Sequence, residues 1–215
     1  TMGHLVRPSD QKEPQKIAWL QCVGSRDINQ CDHGYCSAVC CMYAVKEAVI
    51  AKEHAKHGLD CAIFFMDMRT HGKDFERYYD SAREKHGVRF IRSRIHRIDP
   101  IDKTGNLLLR YVKESGELFE ERFDMVVLSV GMETAKETLE LAETLGLSLT
   151  EGRFCATLPF APVSTSREGI YVCGVFQGPK DIPQSVTEAS AAACAAAMDL
   201  STARWTQTKT KEIPE

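Results

Sequence analysis

Short apolar runs alternate with helical segments through the first half of this 215-residue chain. Each apolar run has the length of a buried strand, and each ends at a turn signal. The intervening segments are rich in helix-forming residues and are followed by glycine. An alternation of strands and helices predicts a mainly parallel sheet with helices on both faces. The predicted strands cover 17–22, 60–68 and 88–92, and the predicted helices cover 37–57 and 73–86.

A different pattern follows this βαβαβ unit. Residues 95–101, 106–113 and 117–122 alternate apolar and polar side chains and are separated by glycine-containing turns, which predicts an antiparallel meander. Residues 123–131 are mostly apolar and end on glycine, so we expect a strand that is buried on both faces. The remaining predicted elements are a helix over 134–145, a strand over 170–173 and an alanine-rich helix over 183–200.

The order of elements predicts an α/β chain with a Rossmann-like βαβαβ domain of the nicotinamide type, extended by the meander, over residues 16–132. Residues 133–200 form a second predicted segment. We expect residues 1–15 to be a disordered lead, whose first four residues resemble a cloning remnant. We expect residues 201–215 to be a polar tail.

Charge and hydropathy exclude several classes of function. The net charge is −3 and the pI is near 6.2, so no general basic field is present to attract nucleic acid or an anionic membrane surface. No apolar run reaches the ~18 residues of a membrane helix, and the N-terminus lacks the pattern of a signal peptide. We therefore expect a cytoplasmic protein that neither binds nucleic acid nor inserts into a membrane.

Five of the nine cysteines lie between Cys22 and Cys41, in the first strand–helix turn. A secreted disulfide framework would distribute its cysteines along the chain, whereas such crowding favours a metal site. Cys22 ends the predicted strand, and we place Cys36, Cys40 and Cys41 on the opening turn of the next helix. Four thiolates in the spacing C-x13-C-x3-C-C can then converge at one sheet edge, where free helix N–H groups can donate to sulfur.

The residues alone leave three interpretations of this turn open. The thiolates hold a 4Fe-4S cluster, or they form a structural zinc site that includes His33, or they are free or disulfide-forming thiols. Cys31 lies in the same loop and is a spare thiol, a substitute ligand or an oxidation-prone bystander. The other four cysteines are isolated in apolar settings and are predicted to be ordinary buried residues: Cys61, Cys155, Cys173 and Cys194.

The same turn lacks the glycines of a dinucleotide site. G-x-G-x-x-G lets a pyrophosphate approach the helix N-terminus, but this turn begins Cys22-Val-Gly-Ser-Arg and continues into the cysteine-rich insertion. Asp67, after the second strand, stands where a dinucleotide domain holds an acid for ribose, and we interpret it as a remnant or a polar loop anchor. We expect Arg69, His71 and Lys73 to form a solvated turn, with a cluster or partner surface as the alternative.

Several long segments occur in an order that resembles one known family. These are QCVGSRD, YCSAVCCMYAVKEA, FFMDMRTHGKDFERYY, VVLSVGME and YVCGVFQGPKDIPQSVTEASAAA. They resemble the A-type subunit of heterodisulfide reductase and the related flavoprotein subunits of quinone-interacting membrane-bound oxidoreductase complexes. The resemblance runs from Ile17 to Leu200, and the chain matches only part of such a protein.

This resemblance implies a fold and a set of sites. Residues 133–200 would be the C-terminal part of a thioredoxin-reductase-like FAD domain, and a 4Fe-4S cluster near FAD would relay electrons to partner subunits. The implied cluster ligands are Cys22, Cys36, Cys40 and Cys41. Lys46 is predicted to be a catalytic residue whose ammonium group reaches the flavin edge, with a solvated helix lysine as the alternative. The implied FAD contacts are Gly174, Gln177, Gly178, Asp181, Ile182, Gln184, Ser185 and Val186.

The implied function is that of one component of an oxidoreductase, an electron-transfer flavoprotein with an iron–sulfur centre, which we expect to be inactive by itself. Its expected partners are other subunits of a heterodisulfide reductase-like or quinone-interacting complex, with a homodimer as a further association. Because the chain has no G-x-G-x-x-G for the ADP half of FAD, we expect FAD to be weakly held or lost. The alternatives are a zinc-stabilised, non-catalytic interaction domain and an NAD(P)H-dependent disulfide reductase-like flavoprotein.

Overall fold

The computed structural model describes residues 4–101 and 105–203. The chain divides into two compact units, which comprise residues 1–131 and 132–215. The division lies one residue before the predicted end of the first domain. Each unit is described by itself.

A four-stranded parallel sheet forms the centre of the first unit, with the strand order β3-β2-β1-β7. The α/β architecture predicted from the alternation of strands and helices is therefore confirmed. The strands are β1 (Lys16–Val23), β2 (Asp60–Phe65), β3 (Arg89–Arg92) and β7 (Met125–Val130), and the helices between them are α1 (Cys40–His54) and α2 (Phe75–Glu84).

Both faces of this sheet are covered. On one face, Ala44, Val45 and Ala48 of α1 pack against the inward side chains of β1 and β2. The other face packs against a three-stranded antiparallel sheet in the order β4-β5-β6, which is the predicted meander. Its strands are β4 (Ile98–Ile101), β5 (Asn106–Val112) and β6 (Leu118–Phe123).

The register of the parallel strands determines where a site can form. Ile17 of β1 pairs with Cys61 of β2 and with Met125 of β7, so the three strands run together to one edge. The loops that follow β1 and β2 both leave this carboxyl edge. In open α/β sheets, ligands bind outside the carboxyl ends of the strands.

Four predictions about these elements were wrong. Helices do not cover both faces of the parallel sheet, because α1 and α2 pack on the same face and the meander covers the other. Helix α1 begins at Cys40 instead of residue 37, because Ala38 has a φ of 62° and breaks the helical backbone. Strand β7 is not buried on both faces, since it is an edge strand in which Leu128 and Val130 are 47% and 58% exposed. In place of the predicted strand over 170–173, the structure has an isolated bridge between Ser164 and Tyr171.

The described part of the N-terminal lead, for which disorder was predicted over residues 1–15, has contacts with the rest of the first unit. Leu5 packs against the core on the α1 side of the sheet, and Arg7 is only 8% exposed. The backbone amides of Gln15 and Lys16 donate to the Asp124 carboxylate at 2.7 and 2.9 Å, which ties the lead to the start of β7. Residues 1–3 of the predicted lead lie outside the described residues.

The described part of the second unit contains two α-helices, α3 (Lys136–Leu145) and α4 (Ile182–Ala203), and a 3-10 turn at Gly174–Phe176. Helix α3 ends where Gly146 adopts a φ of 65°, as the glycine stop signal predicts. Helix α4 continues to residue 203, and the rest of the predicted tail lies outside the described residues. Of the helices that the structure describes, none combines the length and apolar character needed to cross a membrane.

Candidate metal centre and flavin-contact segment

Residues 24–39, here called the cysteine loop, connect β1 to α1 at the carboxyl edge of the parallel sheet. Non-glycine residues at its borders and within it adopt left-handed backbone conformations, which cost roughly 1–2 kcal/mol each. Such conformations persist where the surrounding structure holds them, and they concentrate at functional sites. The residues are Cys22 (φ 59°), Arg26 (φ 56°), Asp32 (φ 55°) and Ala38 (φ 62°).

Local hydrogen bonds and close packing hold the cysteine loop in place. The Asp27 carboxylate accepts the amide protons of Asn29 and Gln30 at 3.0 and 3.1 Å. Gly131, just after β7, lies so close to the loop that an added Cβ would stand 2.8 Å from the Ser37 hydroxyl oxygen. A glycine is therefore required at the end of this strand for the loop to approach the sheet.

The four predicted metal ligands come together at this edge. The Cys41 thiol interacts electrostatically with those of Cys22, Cys36 and Cys40, and the Cys40 thiol with those of Cys22 and Cys36. All four are free thiols; Cys40 and Cys41 are buried, and Cys22 and Cys36 are half-buried. Cys36 precedes helix α1 instead of lying on its opening turn, so the loop backbone and not helical spacing brings it to the others.

Burial makes this group of thiols reluctant to ionise. It raises the pKa of Cys22, Cys40 and Cys41, in the last case to about 11, and the neighbouring thiols raise these pKa values further. Crowded, desolvated thiolates need positive charge to compensate them. Bound iron ions supply such charge, and metal binding deprotonates thiol ligands. The donor set therefore fits an iron–sulfur cluster.

N–H groups point to the sulfur atoms of this site, as is common around iron–sulfur clusters. The Ala38 amide donates to Cys36 Sγ at 3.3 Å. The Arg69 amide lies beside the Cys41 thiol and lowers its pKa, in opposition to the larger effect of burial. These donors agree with a site for anionic sulfur ligands.

A single metal ion sets a different geometric requirement from a cluster. Around one tetrahedral zinc ion with Zn–S bonds near 2.3 Å, the sulfurs would stand roughly 3.8 Å apart. In a 4Fe-4S cluster each thiolate binds a different iron atom, so the sulfurs stand farther apart. Among residues 4–101 and 105–203, no group of three or more His, Cys, Asp or Glu residues has the arrangement of a metal-ion site. His33, the histidine of the alternative zinc site, has its Nδ1 atom 3.1 Å from the Gly24 carbonyl oxygen.

Asp67 and Arg69 both reach this site, which for Arg69 agrees with the alternative of a cluster surface and not with a solvated turn. Asp67 lies just beyond β2, and its carboxylate accepts hydrogen bonds from Arg26 Nη2 at 3.1 Å and Arg69 Nε at 3.3 Å. Arg26, which was not among the predicted site residues, lies beside the Cys22 thiol. The sequence could have indicated this meeting only through topology, because the loops after adjacent parallel strands leave the same edge of the sheet. His71 and Lys73 are exposed, as expected for a solvated turn.

Cys31 lies in the middle of the loop, where its thiol donates to the Asp27 carbonyl oxygen at 3.0 Å. Lys46 is an exposed residue of α1, and its implied catalytic role stays a prediction. Cys61 and Cys155 are buried, as predicted. Cys173 and Cys194 are exposed, contrary to the prediction. Cys194 lies on α4, which has no buried side chain from residue 182 to residue 201, and Cys173 directly precedes the 3-10 turn.

The thiols should differ sharply in reactivity. Burial raises the pKa of Cys61 to about 12, and this side chain has no exposed surface. At pH 8 its thiolate fraction would be about 10⁻⁴, and the thiolate is the reactive form. After brief treatment of the native protein with iodoacetamide, peptide mass spectrometry should show Cys173 and Cys194 labelled at least ~100-fold faster than Cys61. Equal labelling would contradict the described burial.

The implied flavin-contact segment, residues 174–186, is held together by its own polar contacts. Lys180 is 6% exposed, and its ammonium group bonds to both Gln177 and Glu188. The Glu188 carboxylate also accepts the Gly174 amide proton at 2.9 Å. Lys180 and Glu188, which were not among the predicted contacts, thus hold the 3-10 turn against helix α4.

Helix α4 begins in a reciprocal capping box. The backbone amide of Gln184 donates to the Asp181 carboxylate at 2.8 Å, and the backbone amide of Asp181 donates to the Gln184 side-chain oxygen at 3.3 Å. The backbone amide of Gln184, one of the implied FAD contacts, is therefore bound by Asp181. Ile182 and Val186, one turn apart on the helix, are 80% and 64% exposed and form an apolar surface. Gly178 follows the 3-10 turn, and Ser185 lies beside Gly174.

The fold of the first unit and a match to a known family together assign the chain to a class of protein. The family described as pyridine nucleotide-disulphide oxidoreductase matches residues 35–193. The chain belongs to this family. The crystal structure of LpdA from Mycobacterium tuberculosis has the same fold, with a TM-score of 0.57 and 15% identity over 89% of this chain and 36% of that one.

Two curated relatives show which members of this family the chain resembles. The chain is 45% identical over 205 residues to the A-type subunit of the H(2)/formate:CoB-CoM heterodisulfide,ferredoxin reductase of Methanococcus maripaludis, covering 94% of this chain. It is 43% identical over 204 residues to the A-type iron-sulfur subunit of the CoB--CoM heterodisulfide reductase of Methanocaldococcus jannaschii, covering 93% of this chain. The chain spans 31% of the length of each relative. The predicted resemblance to the A-type subunit of heterodisulfide reductase is confirmed.

Proposed function

We propose that this chain is the electron-transfer part of a protein that resembles the A-type subunit of heterodisulfide reductase. Its metal centre is a 4Fe-4S cluster held by Cys22, Cys36, Cys40 and Cys41. The observation that carries the proposal is the convergence of these four free thiols at the carboxyl edge of the parallel sheet. The resemblance to proteins named as iron–sulfur subunits supports it.

When bound, such a cluster accepts and donates single electrons. The residues of the chain supply its environment. Helix α1 directs its N-terminus to the site, and the partial positive charge there stabilises anionic sulfur ligands. Cys40 and Cys41, each 7% exposed, anchor the buried side, whereas Cys22 and Cys36 lie on the more open side. Cys22 and Cys36 would therefore hold the side of a bound cluster that is more accessible to a partner.

Residues 174–186 are proposed to contact the ring system of FAD, which when bound would supply electron-transfer chemistry. The exposed apolar pair Ile182 and Val186 can pack on a flat ring, and the capping box fixes the direction of α4. Lys46 is proposed as the residue that adjusts the redox states of the flavin. The chain itself has no glycine-rich turn for the ADP half of FAD, so a large part of the binding energy must come from elsewhere.

The assembly and location follow from the same proposal. The relatives are named as subunits of heterodisulfide reductases, and we propose that this chain also acts with partner subunits that receive its electrons. A cytoplasmic complex is the proposed setting. The partners are those of a heterodisulfide reductase-like or a quinone-interacting complex.

Anaerobic reconstitution tests the metal centre. The chain, incubated with iron, sulfide and reductant and then desalted, should retain about four irons and four sulfides, with a broad visible absorption that bleaches on reduction. Metal analysis of the untreated protein should be run in parallel. One equivalent of zinc and no chromophore after reconstitution would overturn the proposal in favour of a zinc-stabilised interaction domain.

A further inference from the structure

The segment after β2 brings a carboxylate between two cations beside the cysteine loop. The Asp67 carboxylate binds the Arg26 guanidinium through both oxygens, with the longer bond at 3.1 Å, and Arg69 Nε at 3.3 Å. The Arg26 and Arg69 side chains are only 22% and 35% exposed. Although the Asp67 side chain is 46% exposed, the two-point contact and the partial burial of the arginines make this arrangement more than an ordinary surface ion pair.

Each of the two arginines lies against a different proposed cluster ligand. Arg26 lies beside the Cys22 thiol, to which it contributes both charge and a hydrogen bond. Arg69 interacts electrostatically with the Cys36 thiol, and its backbone amide lies at the Cys41 thiol. The two cations therefore face the half-buried side of the site.

The carboxylate is what allows the two cations to stay together. Arg26 and Arg69 repel one another, and Asp67 compensates one of their two charges. The three side chains together carry a net charge of +1 next to the thiols. Arg26 is further constrained by its left-handed backbone, at a φ of 56°, in the cysteine loop.

We infer that Asp67 is a positioning residue that holds Arg26 and Arg69 against the sulfur atoms of Cys22 and Cys36, and that the two cations raise the reduction potential of the metal centre. This inference rests on the proposed function. A cluster with four thiolate ligands gains negative charge when it is reduced, and a nearby cation stabilises the reduced form more than the oxidised form. Hydrogen bonds to the sulfurs act in the same direction.

Redox titration of the reconstituted chain, followed by electron paramagnetic resonance, tests this inference. Arg26→Gln and Arg69→Gln should each lower the equilibrium constant for reduction about tenfold, which equals a shift of about 59 mV to more negative potential for one electron. Arg77→Gln is the matched control, because Arg77 lies on α2 with its side chain 85% exposed. Its potential should equal that of the unmodified chain.

Asp67 is tested through coupling. In an Asp67→Asn background the arginines lose their anchor, so adding Arg26→Gln should change the equilibrium constant by less than about threefold. A purely structural role for Asp67 would leave the full tenfold effect in place and would overturn its positioning role. Arg26→Lys, which keeps the charge but loses the two-point contact, should give an intermediate potential and serves if Arg26→Gln does not fold.

Two failures can be told apart by iron content. If the unmodified chain binds no iron, the proposed function fails and the inference fails with it. If the variants bind iron as the unmodified chain does but their potentials do not move, the inference alone is wrong. Equal thermal unfolding of the variants in the iron-free form confirms that any shift in potential is not caused by loss of structure.

Discussion

Serine in place of Cys40 should abolish assembly of the metal centre, whereas serine in place of Cys31 should leave it intact. Cys40 is buried at the first residue of α1, among the other three proposed ligands, and a serine hydroxyl is a poor ligand for iron in a sulfur-rich site. Cys31 donates its thiol proton to the Asp27 carbonyl oxygen in the middle of the loop. Iron content after reconstitution should fall more than ~10-fold in Cys40→Ser.

The two variants are a matched pair, because each replaces one sulfur atom by one oxygen atom in the segment that runs from β1 to the start of α1. Both proteins should show the same far-ultraviolet circular dichroism before reconstitution. If Cys31→Ser loses iron and Cys40→Ser keeps it, the assignment of four ligands out of five cysteines is wrong. Equal loss in both would point to a loop that needs every thiol for folding.

The largest effect on stability is expected from Phe64→Ala. Phe64 is 2% exposed in β2, and its ring makes edge contacts with Tyr111 and Phe123 at centroid distances of 5.0 and 5.9 Å. The substitution leaves a cavity between the parallel sheet and the meander and should lower the free energy of unfolding by about 3–5 kcal/mol. Urea denaturation of the iron-free protein, followed by tryptophan fluorescence, measures the change.

Leu118→Ala is the control for this cavity. Leu118 begins β6 and is 64% exposed, so its removal should change the free energy of unfolding by less than about 0.5 kcal/mol. A loss below about 1 kcal/mol in Phe64→Ala would show that the meander does not seal the second face of the sheet. The two values together therefore test the layer arrangement of the first unit.

Much of the first unit could be predicted from sequence because its elements are separated by strong local signals. The apolar run that begins at Asp60 and the glycine turns of the meander determine where strands begin and end, without knowledge of their neighbours. The position of a strand within the sheet depends on pairing, which local pattern does not contain. The burial of β7 was therefore predicted wrongly: an apolar run of this kind is typical of a central strand, and here it forms an edge.

The site was predictable only in part, for a related reason. The clustering of cysteines is visible in the sequence, and the resemblance supplied the ligand set. The placement of Cys36 on a helix was wrong because the left-handed backbone at Ala38 is not signalled by an alanine. Arg26 and Asp67 are 41 residues apart in the sequence and lie in different loops, so their contact follows only from the strand order.

The backbone at Cys22 has an evolutionary consequence. Its φ of 59° lies in the region that glycine adopts without steric cost, and glycines of this kind build the turns that bind dinucleotides. Glycine is therefore the residue that this strand end would accept with the least backbone strain. A lineage that abandoned the metal could relieve the strain at Cys22 in this way, but the cysteine loop after it would still have to be rebuilt to bind a nucleotide.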